Sequence, residues 1–391
     1  DSQLRQSIGL QMEADVPLGA FLSGGVDSSA VVALMQAQSM RPVKTFSIGF
    51  DEAAYNEAVY AKAVAQHLGT EHTELYVSAD EAMAVIPLLG KIYDEPFADS
   101  SQIPTFLVSQ MAKQDVTVSL SGDAGDELFC GYNRYGLADH WGRIEKVPVG
   151  MRKMVSNGID LIQPDTWDGV FQQISKFKKM PDNMGNKLEK FARVMRSDTI
   201  QDAYFSLVSE IDCSNKIVIG TTEPETWLSK VGLSASFEDA KQHMMFMDAM
   251  TYLPDDILVK VDRAAMANSL ETRVPFLDHR VVELSWRLPT TMKMHEGKTK
   301  WILRQVLYQY VPQQLIERPK AGFSIPLGDW LRGPLRDWVE NLLDEQRLKH
   351  DGYFNVHFVR ELWAAHLAGR HNHQSLLWSI LMFQVWLKEM N

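Results

Sequence analysis

The run Phe21-Leu22-Ser23-Gly24-Gly25-Val26-Asp27-Ser28-Ser29-Ala30 concentrates the chemistry of this chain in one turn. Gly24 and Gly25 lack Cβ atoms, so the backbone there can turn sharply and bring N–H groups against an anion. Ser28 and Ser29 add hydroxyl donors. Asp27 is the distinguishing residue, because a carboxylate beside bound phosphates is repelled unless a divalent cation lies between them. The loop is not a Walker A motif, since no Gly-Lys-Ser/Thr follows the spaced glycines, and it is not the Gly-x-Gly-x-x-Gly dinucleotide fingerprint. A plain helix-capping turn is the competing reading. Further along, Ser121-Gly122-Asp123-Ala124-Gly125-Asp126-Glu127-Leu128-Phe129 repeats the logic, with small residues exposing backbone and acids aimed at a ligand. Asp126 is the natural partner for Asp27, and two carboxylates suit Mg²⁺, which usually takes one or two plus waters. A calcium loop lacks its downstream Glu here, and a plain acidic turn is the stronger rival.

Both loops need strands to hold them. Pro17 to Leu22 is a short apolar run suited to a buried parallel strand, and Ser29 to Met35 opens a helix whose N–H groups and positive dipole end face the loop. Val43–Phe50, His72–Val77 and Val116–Leu120 read as further strands. Asn56–Leu68, stopped by Gly69, and Ser78–Leu89 read as helices between them. Strands alternating with helices predict an α/β, doubly wound parallel sheet, whose ligands bind past the carboxyl ends of the strands. Ser23–Ser29, Gly49–Asp51 and Ser121–Glu127 are then expected to converge. After about Gly136 the pattern turns mostly helical with few strand signals, giving an expected division into an α/β core over 1–136 and a helical part over 137–391. The stretch Gln374–Met390, with Leu377, Trp378 and Leu381, reads as a packed core helix.

The chain has 391 residues with 45% hydrophobic and 23% charged residues, as expected of a soluble globular protein, and a net charge of -11 that argues against broad nucleic-acid binding. Two cysteines, Cys130 and Cys213, make a disulfide framework implausible and fit a reducing cytoplasmic setting. No apolar run reaches bilayer-spanning length, so no membrane partner is expected. His371-Asn372-His373 lacks a second ligand cluster and reads as an exposed loop, while His67 and His72 flank a turn and strand with no catalytic role required.

The first loop resembles the pyrophosphate loop of the N-type ATP pyrophosphatases, also described as adenine nucleotide α-hydrolase-like. Later blocks narrow the resemblance to the synthetase half of the asparagine synthetase family. They are Asp262-Arg263 through Glu271-Thr272-Arg273-Val274-Pro275-Phe276-Leu277-Asp278, Gly297-Lys298-Thr299-Lys300-Trp301, and Arg318-Pro319-Lys320-Ala321-Gly322-Phe323 to Pro326. Read without the family, Asp262, Arg263, Glu271 and Arg273 would be a solvated helix face. The resemblance implies a ligase that adenylates a carboxylate with ATP, releases pyrophosphate, and lets ammonia displace AMP to give an amide. It places Ser23, Gly24, Gly25, Ser28 and Ser29 on the pyrophosphate, Leu22 and Ile48 on the adenine with Ser121 and Gly122 assisting, and Asp27 and Asp126 on Mg²⁺. Asp123 stands where the family has an acid close to the acyl-adenylate. Lys300 is the expected catalytic cation, with Lys298 as the local rival, and Lys320 is matched to a phosphate-reaching loop residue or to a surface lysine. Tyr132 resembles a tyrosine near the acceptor that β-lactam-forming relatives use with an acid and the lysine; Asp255 and Asp256 both offer that acid, and the spacing does not choose.

Glutamine-dependent members of this family carry an N-terminal glutaminase domain with a cysteine as its first residue, whereas this sequence starts Asp1-Ser2-Gln3 in the synthetase half. A glutaminase domain or subunit is therefore expected to be missing from the chain, which is expected to use free ammonia. The segment Asp94–Thr105 corresponds to the family's acceptor-facing loop; its small polar residues suit aspartate, and also a sugar acid or a peptide carboxylate. A non-catalytic nucleotide-binding scaffold is the alternative of another class. An argininosuccinate-type or tRNA-thiolating pyrophosphatase is a third, and the tRNA version would need a basic face and catalytic cysteines that are not evident.

Overall fold

The computed structural model describes residues 1–50, 56–161, 184–211, 214–226, 237, 239–317 and 325–390. The expectations for Asp51, Cys213, Lys320 and the block from Arg318 to Ser324 lie outside these residues. Two compact units are present. The first combines Asp1–Tyr132, Met245–Pro326 and Val385–Asn391; the second combines Asn133–Met244 and Leu327–Gln384. The division at 136–137 read from the sequence is linear, whereas the α/β unit takes back a later stretch of chain, because its sheet and its site use residues from there.

That unit is built on a five-stranded, all-parallel sheet in the order β3-β2-β1-β4-β5. The strands are β1 (Leu18–Phe21), β2 (Lys44–Phe50), β3 (Glu71–Val77), β4 (Val118–Leu120) and β5 (Glu271–Arg273). The four expected strands are present. The fifth corrects the reading of Glu271 and Arg273 as part of a helical charge pattern. It pairs with β4 at Val118↔Glu271 and Leu120↔Arg273. Its three polar residues carry no period-2 signal, and only a neighbouring strand makes them extended. Arg273 donates to the carbonyls of Gln11 and Glu13, both at 2.8 Å, so its charge staples the edge of the sheet instead of facing solvent on a helix.

The helix α1 (Ser2–Gln11) precedes β1, and α2 (Val26–Gln36) follows it. Every residue of α2 from Ser28 to Met35 is buried, as is Val26, so the helix is covered all round. It sits in a core shared with Ala20 and Leu22 of the first strand region, Leu120, Phe129, Phe276 and Leu303. Burying side chains such as Val32, Leu34 and Met35 contributes roughly 1.5–3 kcal/mol each, and this pins the start of the helix under the first loop. α3 (Ala58–Leu68) ends at Gly69, whose φ of 70° supplies the expected left-handed stop. The helix expected over Ser78–Leu89 is two: α4 (Ala79–Met83), opened by a Ser78–Glu81 capping box, and α5 (Ile86–Ile92). Pro87 explains the break, since it lacks the N–H that a continuous helix would need. α6 (Gln102–Ala112) leads into β4, and the short α7 (Gly125–Leu128) follows it.

The second unit is mostly helical among its described residues. Arg152 is buried there, donating to the carbonyls of Val147 (3.0 Å) and Ser197, with Trp141 5.9 Å away as a cation–π partner. The helix Gln374–Met390 is a core helix as expected, with Leu377, Trp378 and Leu381 fully buried. Among the described residues no helix is long and apolar enough to cross a membrane.

Candidate active site

β1 and β4 lie side by side, so the loops that leave their carboxyl ends meet. In the first loop, Ser23 N donates to Ser28 Oγ at 3.2 Å, the two serine hydroxyls are 3.0 Å apart, and Gly25 N donates to Ser23 Oγ at 3.2 Å. Gly25 caps α2 from extended backbone without a side-chain bond, leaving the helix start to its own N–H groups and to Asp27 in the first turn. The second loop packs directly onto the first. A Cβ on Gly122 would lie 2.6 Å from Ser28 N and 2.9 Å from the carbonyl carbon of Asp27, so only glycine lets the loops close to this distance. Leu22, Ile48, Ser28, Ser29 and Ser121 are all buried.

Lys300 joins the loops. It precedes the helix Trp301–Leu307 in the left-handed region (φ 54°), and its side chain reaches back under both. Its ammonium pairs with Asp27 and, at 2.9 Å, with Asp126 Oδ1. Burial opposes the charge on Lys300, but Asp126 and Asp27 outweigh it and hold the ammonium well above the usual lysine range. Gly131 makes this reach possible, because a Cβ there would collide with Lys300 Cε and Asp126. Lys298, the rival, is half exposed and pairs with Glu317 at 3.3 Å.

Three sequence-distant residues thus form one cluster: Asp27 after β1, Asp126 after β4, and Lys300. It holds one positive charge against two carboxylates, a deficit that suits a divalent cation. Its oxygen-only donors fit Mg²⁺, which keeps most of its water or phosphate ligands. Among the described residues no group of three or more His, Cys, Asp or Glu gathers as a metal cage. Asp123 is half-buried, and burial pushes its carboxyl up.

The acid beside Tyr132 is neither Asp255 nor Asp256. Tyr132 donates its hydroxyl to Glu127 Oε1 at 2.7 Å, and its ring meets Tyr252 edge-on. Glu127 is buried, and burial chiefly, with Asp126 adding to it, pushes its carboxyl up to about 7 against the pull of the Tyr132 bond. Asp255 is exposed, and Asp256 sits with Asp99 and Lys260. Sequence reading passed over Glu127 because its neighbour Asp126 absorbed the metal role; the i, i+5 spacing to Tyr132 around a left-handed Cys130 was the only available signal. His72 bonds Thr45 and Ser47, His67 bonds the Tyr310 carbonyl, and His371 stacks on His373.

An all-parallel sheet of this order, with an anion loop after one central strand and acids after its neighbour, defines the ATP pyrophosphatase class of α/β folds. Within that class the chain belongs to the asparagine synthase family: it matches the family described as Asparagine synthase over residues 1–388, as the motif resemblance implies. Its relatives include the glutamine-hydrolyzing asparagine synthetase 1 of Bacillus subtilis (strain 168), 32% identical over 381 residues, covering 97% of this chain and 57% of that protein. A putative glutamine-hydrolyzing asparagine synthetase of Mycobacterium tuberculosis (strain H37Rv) is 33% identical over 390 residues, covering 98% and 56%. The chain is also similar to the amidase chyE of Penicillium rubens, at 24% identity over 402 residues, covering 92% and 56%. The chain therefore spans a little over half the length of the curated relatives it matches.

Proposed function

We propose that this chain is the adenylating part of an amide-forming ligase: it activates a carboxylate with ATP, releases pyrophosphate, and gives the amide when ammonia displaces AMP. The observation that carries this reading is the Asp27–Asp126–Lys300 cluster seated between two strand-end loops and the start of α2. The acceptor's carboxylate oxygen attacks the α-phosphorus of ATP, and the α–β bridging bond breaks with its electron pair leaving on pyrophosphate. Ammonia nitrogen then attacks the acyl carbon, the acyl–oxygen bond to AMP breaks, and the nitrogen loses a proton.

The chain's groups supply positioning and charge for these steps. N–H groups and hydroxyls of Ser23–Ser29 hold the departing phosphates, helped by the α2 dipole. Leu22 and Ile48 bracket the adenine, with Ser121 and Gly122 beside it. Asp27 and Asp126 would hold Mg²⁺, which neutralises phosphate charge when bound. Lys300 offers its ammonium to the α-phosphate, where negative charge builds up. Tyr132 and Glu127 form a hydrogen-bonded pair next to Asp126, and Asp123 faces the acyl end.

Aspartate is the proposed acceptor, since the small polar residues of the Asp94–Thr105 segment and the names of the relatives both support it. The test is pyrophosphate and AMP release from ATP and Mg²⁺ by the purified chain, with ammonium and a panel of aspartate, a uronic acid and a peptide carboxylate. Release that needs aspartate and ammonium, with glutamine unable to replace ammonium, is expected. Activity confined to another acceptor refutes aspartate, and no pyrophosphate with any of them refutes adenylation.

A further inference from the structure

A second buried charge cluster lies in the same unit. The ammonium of Lys260, on the helix Val259–Met266, is 2.7 Å from Asp99 Oδ2, and both side chains are largely buried. The other oxygen of Asp99 accepts from Ser101 N at 2.9 Å and Ser101 Oγ at 2.7 Å, so this carboxylate is fully committed. Tyr93, stacked on Phe97 at 4.5 Å, donates its hydroxyl to the Lys260 carbonyl at 3.3 Å. Asn268 Nδ2, two residues past the end of the same helix, donates to the Phe106 carbonyl at 3.2 Å. The stretch from Tyr93 to Phe106 is thereby held to one helix at several points, with two charged ties: the largely buried Lys260–Asp99 pair and the more exposed Arg263–Asp94 pair at 3.0 Å.

Two further acids act on this lysine. Burial disfavours its charge, but Asp99 first, then Asp123 and Asp256, raise it. Asp256 Oδ1 is buried and accepts no hydrogen bond from any described residue. An ion pair built for packing needs one acid, and surplus buried carboxyls are costly. Here the acids come from three separate segments: the stretch before α6, the loop after β4 that carries Asp123, and the turn Leu253–Leu258. That turn is π-helical, a geometry that recurs at functional sites.

We propose that Lys260 is a positioning residue for the acceptor: through Asp99 it fixes the Asp94–Thr105 segment against the strand-end loop that carries Asp123, so that the acceptor carboxylate is presented to the activated phosphate. This rests on the adenylating reading of the Ser23–Ser29 loop. Lys260 touches neither nucleotide nor acceptor in this role; it sets where the acceptor lies.

The test compares Lys260→Met, Lys260→Arg and the charge-balanced double variant Asp99→Asn/Lys260→Met with the unaltered chain. Pyrophosphate release is measured while aspartate and ATP are varied separately. Lys260→Met alone strands Asp99 in the interior and is expected to lower the melting temperature, whereas the double variant removes both charges and is expected to melt close to the unaltered chain. The decisive expectation is that the double variant, although folded, keeps a KM for aspartate raised tenfold or more with the KM for ATP within twofold, and that Lys260→Arg recovers most of the loss. A double variant with the original KM for aspartate makes the pair a packing device and overturns the proposal. So does a KM for ATP that rises in step with that for aspartate. Should the unaltered chain release no pyrophosphate with any acceptor, adenylation itself fails and this assignment fails with it; an active unaltered chain with unaffected variants defeats this assignment alone.

Discussion

Two of the buried cations in this protein, Arg152 and Lys300, one in each unit, are satisfied by opposite chemistries. Arg152 in the helical unit meets two neutral backbone carbonyls and the face of Trp141. Lys300 in the α/β unit meets two carboxylates, Asp27 and Asp126. Carbonyls and an indole cannot change charge or leave, so Arg152 has one arrangement and serves packing. Under the proposed function the Lys300 carboxylates would exchange their ammonium for another cation, freeing it for an incoming phosphate. A buried charge matched by permanent dipoles indicates structure; one matched by exchangeable charges indicates a site.

Removing Lys300 breaks the comparison at its strongest point. Lys300→Met is expected to lower pyrophosphate release on the order of 10²–10³-fold, the usual loss when one preorganised charge donor is removed from a transition state. It is also expected to make the melting temperature more responsive to added Mg²⁺, because two buried carboxylates then lack their cation; calorimetric melts with and without the ion check this. Arg152→Met should do the reverse, costing about 3 kcal/mol in urea unfolding as two carbonyls lose their donor, with activity per folded molecule unchanged. Gly131→Ala sharpens the contrast without removing any charge. Its methyl displaces the Lys300 stem and Asp126, and a roughly tenfold loss of pyrophosphate release is expected from about 1–3 kcal/mol of overpacking.

The smallest effect concerns Glu127. Its folded value, pushed up to about 7, lies above the ordinary range of about 4.3, so the stability linked to its proton is complete below that range and is lost as pH rises through about 7. The Tyr132 hydroxyl supports the ionised form. Tyr132→Phe should therefore differ little from the unaltered chain at pH 5 and fall about 1 kcal/mol below it at pH 8 in urea melts; equal differences at both values would show that Glu127 does not titrate there.

How much was legible in the sequence depended on distance along the chain. The Ser23–Ser29 loop, the four longer strands and the Gly69 stop rest on neighbours within a few residues, where glycine, apolar runs and acids leave a local mark. Glu271–Arg273 left none, because its extended form comes from pairing with β4 and not from its own residues. The helix break at Pro87 was written in the sequence and overridden by the apolar spacing around it. Tyr132 and Lys300 were singled out from the sequence, but two pairs were not: Glu127, bonded to Tyr132, was hidden beside Asp126, and Lys260 lies 161 positions from its partner Asp99 in the chain.

The sequence by itself determined the family, through the motifs at Ser23–Ser29, Ser121–Phe129 and Glu271–Asp278. It also determined the parallel sheet that carries them, through short apolar runs alternating with helices. Only the tertiary structure decided which charges meet. Lys300 over Lys298, Glu127 over Asp255 and Asp256, and the tie between Lys260 and Asp99 all depend on side chains brought together by the order of the strands. Electrostatic energy at these separations depends on distance and burial, and neither is a property of spacing along the chain.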